Sequence, residues 1–324
     1  VKTYSSDSIV TDSAAAATAF GCGVKTVNDV LGQDATAIYD KKDGRPLQSI
    51  AEIAKAMGKA VGIATTTEIT HATPAGFYAK VNSRDKAKEI AGQLLKTDFD
   101  LFLGGGAKFF DLDPIRKDAS ITLVSNRAEL AAAQPIKGKK VLGLFADSHL
   151  SYELTRPAES PEPSIADLTL HALRLLEKSP KGFFLMVEGG KIDHALHKNM
   201  TPEALFETKK FDEAVGAAID HLEQTGKLKD TLILVTADHE TGGLSLNGHP
   251  PHGTDILQYP NLTYASGPGV GAQPPSALLN PKDGYAYHTG IDVTLFAMGA
   301  GAEAVHGTIE NTDIFKIMRA SFGR

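Results

Sequence analysis

Short apolar runs alternate along the chain with longer stretches of mixed polarity. Residues 60–65 (AVGIAT), 101–103 (LFL), 140–145 (KVLGLF), 183–187 (FFLMV), 231–236 (TLILVT) and 292–298 (DVTLFAM) predict buried strands. Between them, residues 46–57, 84–95, 164–176, 201–224 and 313–320 place apolar side chains at i, i+3 and i+4, the pattern of amphipathic helices. Strands alternating with helices predict an α/β fold: a doubly wound, mostly parallel central sheet with helices on both faces. The Ala-rich run 13–20 is helical in character, with Asp12 or Ser13 at its N-cap.

The alternation continues on both sides of residues 157–163 (PAESPEP), which therefore form a surface loop and not a domain linker. The longest stretch without a periodic pattern spans about 242–287 and is rich in Gly, Pro, Asn and His. The chain reads as one domain, 1–324, with that loop-rich stretch as an insertion. With 42% hydrophobic and 22% charged residues over 324 positions, it has the makeup of a globular protein with a sizeable core. A net charge of −6 gives no reason to expect nucleic acid or an anionic membrane as a partner. One cysteine, Cys22, excludes an intrachain disulfide and any cysteine-based zinc or iron–sulfur site, and its small neighbours (FGCG) make it a packing residue. No apolar stretch approaches the ~18 residues of a membrane span. The first residues lack a signal-peptide pattern and the chain starts at Val1, as a processed product or a fragment would.

In open α/β sheets, ligands bind beyond the carboxyl ends of the strands. Acidic and histidine residues gather at those ends, while the strands themselves are nearly free of them. Residues 66–73 (TTEITHAT) follow the first strand, Glu188 and the segment to His197 follow the fourth, Asp238 and His239 follow the fifth, and His288 precedes the last. This distribution favours a metal site. Asp193 and His197 are four apart, so one helical turn puts both on one face, and a third histidine from elsewhere would complete a zinc set with an open position. Taken alone, such a pair is more often a solvated helix face. Asp238 and His239 diverge on any regular element and can share an ion only on an irregular turn after a strand, where they fall. Asp12-Ser13 before an alanine run is most simply a helix cap. The alternative puts the Ser13 hydroxyl at the positive helix end, beside a metal that activates it as a nucleophile.

The blocks VTDSAAAATAFGCGVKT, THATPAGFYAKVNSRD, LGGGAKFF, GLFAD, KGFFLMVEGGKIDHALH, LVTADHETGG and YHTG, in this order, resemble an alkaline phosphatase over nearly the whole chain. The resemblance implies hydrolysis of phosphate monoesters at alkaline pH, through a phosphoserine, at a two-zinc centre with a third, magnesium-type site. Ser13 matches the nucleophile, Asp12 the neighbour that helps orient the phosphate-binding arginine, and Arg84 that arginine. Asp193, His197 and His288 match the ligands of one zinc; Asp238 and His239, with Ser13, match those of the other. Thr73 and Glu188 match the magnesium-type site. Many bacterial members carry Asp where His71 stands and Lys where His194 stands. The His71/His194 pair resembles the animal-type enzymes and would tolerate zinc or another transition ion in place of magnesium.

Membership would further imply a homodimer, exported to the periplasm or exterior, acting on small-molecule phosphate monoesters. It also implies an upstream strand ending in an Asp-Gly-x-Gly turn, whose Asp bridges two metal sites. This chain starts after that point and Asp7 is no substitute, so a sheet lacking its first strand is expected. Phosphodiester or sulfate ester hydrolysis on the same scaffold is one alternative, and an inactive metal- or phosphate-binding fragment is the other. Arg84 favours the monoester, whose extra anionic oxygen it would meet. His149, His171, His221 and His306 are expected to be structural or on the surface; for His249 and His252, in the long loop, contact with substrate or an accessory ion is the lesser alternative to the same reading. The turn 104–106 (GGG) lacks the Lys-Ser/Thr of a nucleotide P-loop, and Asn199 and Asn261 head short glycosylation patterns.

Overall fold

The computed structural model describes residues 1–134, 138–247, 261–264 and 286–323. Helices α1 (Ser13–Cys22) and α2 (Ile50–Ala56) lead into strand β1 (Ala60–Glu68). There follow α3 (Ala72–Ala75), α4 (Ala87–Lys96), β2 (Leu101–Gly105), α5 (Leu112–Lys117), β3 (Ile121–Val124), α6 (Arg127–Ala132) and β4 (Lys140–Leu144). Then come α7 (Ile165–Leu176), β5 (Phe183–Glu188), α8 (Lys191–His197), α9 (Thr201–Gln224), β6 (Leu232–Thr236) and β7 (Glu240–Thr241). The described residues close with β8 (Leu244–Asn247), β9 (Asn261–Tyr264), β10 (His288–Thr289), β11 (Leu295–Gly299) and α10 (Asn311–Ser321).

Five strands form one parallel sheet in the order β3-β4-β2-β1-β5, as the strand–helix alternation predicts. Pairing runs from Ala60 opposite Phe183 to Thr65 opposite Glu188, so the ends of β1 and β5 bring a threonine and a carboxylate to the same rim. Beyond β5, strand β6 pairs antiparallel with β11. Strand β3 escapes the pattern analysis because it is a half-buried edge strand of four residues, too short to show a run. The helix expected from residue 84 starts at Ala87: the Arg84 amide donates to the Asp29 carbonyl (2.8 Å), which holds Arg84 in the preceding loop.

Helix α7 follows directly from its sequence. Ser164 and Asp167 make a capping box, and Ile165, Leu168, Ala172, Leu173 and Leu176 form its buried stripe. Helix α1 obeys a different rule, since every residue in it is buried. Its alanines permit close packing between α3 and α10, and a Cβ added at Gly76 would come within 2.6 Å of the Ala17 Cβ.

Among the described residues, β5 pairs only with β1 and β6 only with β11. Between the two lies a cavity of about 940 Å³, whose apolar walls include Phe184, Met186, Leu234, Val235, Phe296 and Met318. Ser13, Glu188, Asp238 and His239 also line it. The slot flanks β5 on the side away from β1. Of the expected insertion 242–287, only residues 242–247, 261–264 and 286–287 are described, and β8 pairs antiparallel with β9. His249 and His252 lie outside the described residues.

Candidate active site

The site begins at the N-terminus of α1. Asp12, in extended conformation, is the N-cap, and its carboxylate accepts the amides of Ala14 (3.1 Å) and Ala15 (3.0 Å). Ser13 is therefore the first helical residue; it is 5% exposed, and its Oγ lies 2.9 Å from His239 Nε2. The Asn28 amide group fastens the segment by donating to the Val10 carbonyl (3.1 Å) and accepting the Asp12 amide (3.2 Å). Arg84 Nη1 donates to Asp12 Oδ2 at 2.8 Å, while Nη2 lies 3.4 Å from His71 Nε2. Burial alone would raise the Asp12 pKa, yet the Arg84 charge and the helix amides hold it below the ordinary value. The carboxylate therefore stays ionised while doing two jobs, capping the helix and aiming the guanidinium.

Asp193 and His197 share one face of α8, and His288 comes across from β10. The Asp193 Oδ1 atom lies 3.3 Å from His197 Nε2 and 3.4 Å from His288 Nε2, with the two Nε2 atoms 3.0 Å apart. Each ring is oriented from behind: His197 Nδ1 contacts the Ala286 carbonyl at 2.5 Å, and His288 Nδ1 the Thr11 carbonyl at 2.9 Å. A carbonyl can only accept, so Nδ1 carries the hydrogen in each neutral ring and Nε2 presents a lone pair. Three lone pairs thus converge, at separations close to the roughly 3.3 Å edge of a tetrahedron with ~2.0 Å metal bonds. The donor set fits a divalent cation, and all three ligand atoms lie within 4.8 Å of one another. Thr241 Oγ1 donates to Asp193 Oδ1 at 2.5 Å, fixing the carboxylate from outside.

Asp238 and His239 leave the end of β6 on the irregular turn that their adjacency requires, with Asp238 Oδ2 3.2 Å from His239 Nε2. The His239 ring stacks on that of His288, centroids 3.5 Å apart, so this second group abuts the first. Burial opposes charge on His239, but Asp238 and then Asp193 outweigh it and push the imidazole up to about 9. The two carboxylates require a compensating cation here, either a proton on His239 or a metal ion.

Glu188, at the end of β5, is ringed by hydroxyls. Thr65 and Thr67 both donate to it, the latter at 3.1 Å, and Thr73 hydrogen-bonds it as well. Burial, aided by the charge of Asp238, pushes its carboxyl up to about 7 against those hydrogen bonds. An all-oxygen cradle of this kind suits a hard divalent ion. Nearby, His71, His149 and His194 pack edge to face, with centroids 4.5–5.5 Å apart. Burial, then the neighbouring His149, lowers His194 to about 3. His71 Nδ1 is buried without a hydrogen-bond partner.

The residues singled out in the sequence thus fall into adjoining groups: Ser13 with Asp238 and His239, Asp12 with Arg84 and His71, Asp193 with His197 and His288, and Thr73 with Glu188, while His194 packs on His71. His149, expected to be structural, joins the histidine cluster, and its Nδ1 accepts the Glu68 amide at 3.0 Å. Sequence reasoning did not find Thr65, Thr67, Thr241 or Asn28. Only the run of hydroxyl residues 65–67 at a strand end offered a signal.

Comparison with known proteins agrees with this geometry. The family model described as alkaline phosphatase matches residues 1–266. Alkaline phosphatase 4 of Bacillus subtilis (strain 168) is 35% identical over 96% of this chain and 77% of its own length. The tissue-nonspecific isozyme of Rattus norvegicus is 33% identical over 98% and 74%. The alkaline phosphatase of the Antarctic bacterium TAB5 superposes with a TM-score of 0.81 at 30% identity, covering 100% of this chain and 87% of that one. A histidine-to-aspartate mutant of the TAB5 enzyme, with magnesium bound in its M3 site, gives a TM-score of 0.80 at 29% identity over the same shares.

Proposed function

Since the chain belongs to the alkaline phosphatase family, we propose that it hydrolyses phosphate monoesters through a phosphoserine formed on Ser13. The observation that carries the mechanism is the convergence of the Asp193, His197 and His288 lone pairs beside a serine hydroxyl at a helix N-terminus. Asp193, His197 and His288 would hold one zinc ion, and Asp238, His239 and Ser13 a second. Glu188 and Thr73 would hold a magnesium-type ion, with His71 and His194 beside it. When bound, these ions supply Lewis acidity at the attacking and leaving oxygens and neutralise the charge between them.

The protein's own groups do the positioning. Asp12 fixes the start of α1, which sets the Ser13 Oγ and directs helix amides at an incoming anion. Arg84, held by Asp12, offers its remaining donors to two equatorial phosphate oxygens. Ser13 Oγ forms the new bond to phosphorus as the ester oxygen departs in line; water then displaces Oγ from the same phosphorus and phosphate is released. Operation at alkaline pH fits His239, whose imidazole, despite burial, Asp238 and Asp193 push up to about 9 and which must release its proton before its lone pair can hold an ion.

A trapping experiment tests the reading. After brief acid quench with an aryl phosphate, mass spectrometry of the peptide carrying Ser13 should show one added phosphoryl group. That label should vanish in Ser13→Ala together with turnover. Hydrolysis of aryl sulfate or diester in preference to the monoester would overturn the assignment of Arg84 as a monoester clamp.

The histidines at 71 and 194 support a third site that accepts zinc or another transition ion as well as magnesium. Restoring Asp and Lys at those positions should raise magnesium preference and strengthen inhibition by phosphate. Export to the periplasm or exterior and a homodimer complete the proposal. Among the described residues no helix is long and apolar enough to cross a membrane.

A further inference from the structure

Asp29 is a non-glycine residue in the left-handed backbone region, with φ of 65°. Aspartate tolerates that conformation better than most residues, but a residue held there points to a local requirement. The requirement is visible on both sides of its peptide units. The Asp29 amide hydrogen-bonds the Asp12 carboxylate, and its carbonyl accepts the Arg84 amide at 2.8 Å. Next to it, Asn28 holds Val10 and Asp12. This turn therefore joins the segment bearing the nucleophile to the loop bearing the arginine.

The side chain adds a second feature. Its carboxyl lies near enough to that of Asp12 for their charges to repel, and its charge acts on Arg84 as well. Burial and then the Asp12 charge push the Asp29 carboxyl up to about 6, with Arg84 pulling the other way, so it is ionised under alkaline conditions. Burial would lower the pKa of Arg84; Asp12 and then Asp29 more than offset it. One guanidinium thus answers to two carboxylates, and an arriving phosphate dianion meets a clamp whose net charge is −1 instead of zero.

Resting on Arg84 as the phosphate-binding group, we propose that Asp29 is a positioning residue that locks the Arg84 loop to the nucleophile segment and, through its carboxylate, weakens the hold of Arg84 on phosphate so that product leaves. The chemical class it discriminates is the inorganic phosphate dianion, which carries its charge at the place where the clamp is partly neutralised.

The test is equilibrium binding of inorganic phosphate to the metal-loaded full chain at pH 8–9, by calorimetry, alongside KM and kcat for an aryl monoester. Asp29→Asn keeps the left-handed tolerance and the size but removes the charge; Asp29→Gly keeps the backbone freedom and removes the side chain. Both should bind phosphate about three- to tenfold more tightly, the scale of one like charge removed at several ångströms in a partly screened site. KM should fall in parallel. Arg84→Ala is the control and should lose most of the phosphate affinity. Loss in Arg84→Ala with unchanged or weaker binding in both Asp29 variants would overturn the role of Asp29 while leaving the clamp intact. Unchanged binding in Arg84→Ala would overturn the arginine assignment and this proposal with it.

Discussion

The strands from β3 to β1 and those from β5 outward, β6 and β11 included, treat similar sequences differently. Strands β2 and β4 are buried along their whole length, and β1 at all but its two end residues. Strands β5, β6 and β11, just as apolar in composition, are mostly half-buried, and β11 is exposed at alternate residues. The buried side holds the largest wholly enclosed side chains, among them Phe102, Ile63, Leu103 and Leu142. The open side carries most of the chemistry: Glu188 ends β5, Asp193 and His197 follow it, and Asp238 and His239 follow β6. Burial and reactivity thus separate only in part, since the buried strand β1 also carries Thr65 and Thr67, which bond Glu188, and apolar composition alone does not say which strands are enclosed.

The largest effect that would break this division is on the reactive side. Ser13→Ala should lower turnover of an aryl phosphate by about a thousandfold or more, with little change in unfolding midpoint. A large loss of stability in that variant would mean that Ser13 is structural and that the two sides are not separable.

On the buried side, Leu103→Ala should cost about 2–5 kcal/mol in urea unfolding, because the enclosed site cannot collapse. Lys140 sharpens the same point with a charge. The residue is 8% exposed, and its Nζ donates to the carbonyls of Leu94, Leu95 and Thr97 at the end of α4. Burial lowers its pKa to about 8. Between that value and the ~10.4 of an unfolded lysine, the unfolded chain binds the extra proton, so stability should rise with pH through this window. Below pH 8 the penalty is constant, at most about 3 kcal/mol. Lys140→Met should flatten the rise in thermal midpoint between pH 8 and 10.5; an identical pH profile would refute the assignment.

The smallest effect belongs to the open side. Leu234→Ala removes a residue that already lines the cavity, so its cost should stay near or below about 1 kcal/mol. A cost equal to that of Leu103→Ala would erase the contrast.

Much of this was legible beforehand. The six apolar runs and five amphipathic stretches all correspond to observed elements, because each has a strong period or a cap such as Ser164 with Asp167. The edge strand β3 and the start of α4 were not readable: one depends on having a single neighbour, the other on a hydrogen bond to Asp29, 55 positions earlier. Glu188, Asp193, His197, Asp238 and His239 could be picked out because acids and histidines sit at strand ends, whereas Arg84 and Thr73 stood out only through the family resemblance. Thr241 could not, and Thr65 and Thr67 showed only as a run of hydroxyls whose partner emerges when pairing brings Thr65 opposite Glu188.

The slot between β5 and β6 has a consequence for what the molecule can take up. Each strand turns one side of its backbone to the cavity, and among the described residues no strand pairs with that side. Such a margin is a template for main-chain hydrogen bonding, and here it comes with an apolar floor. Any extended, β-branched segment that reaches it can be captured with little regard to sequence. A short extended peptide that pairs with these margins should raise the thermal midpoint in step with its concentration.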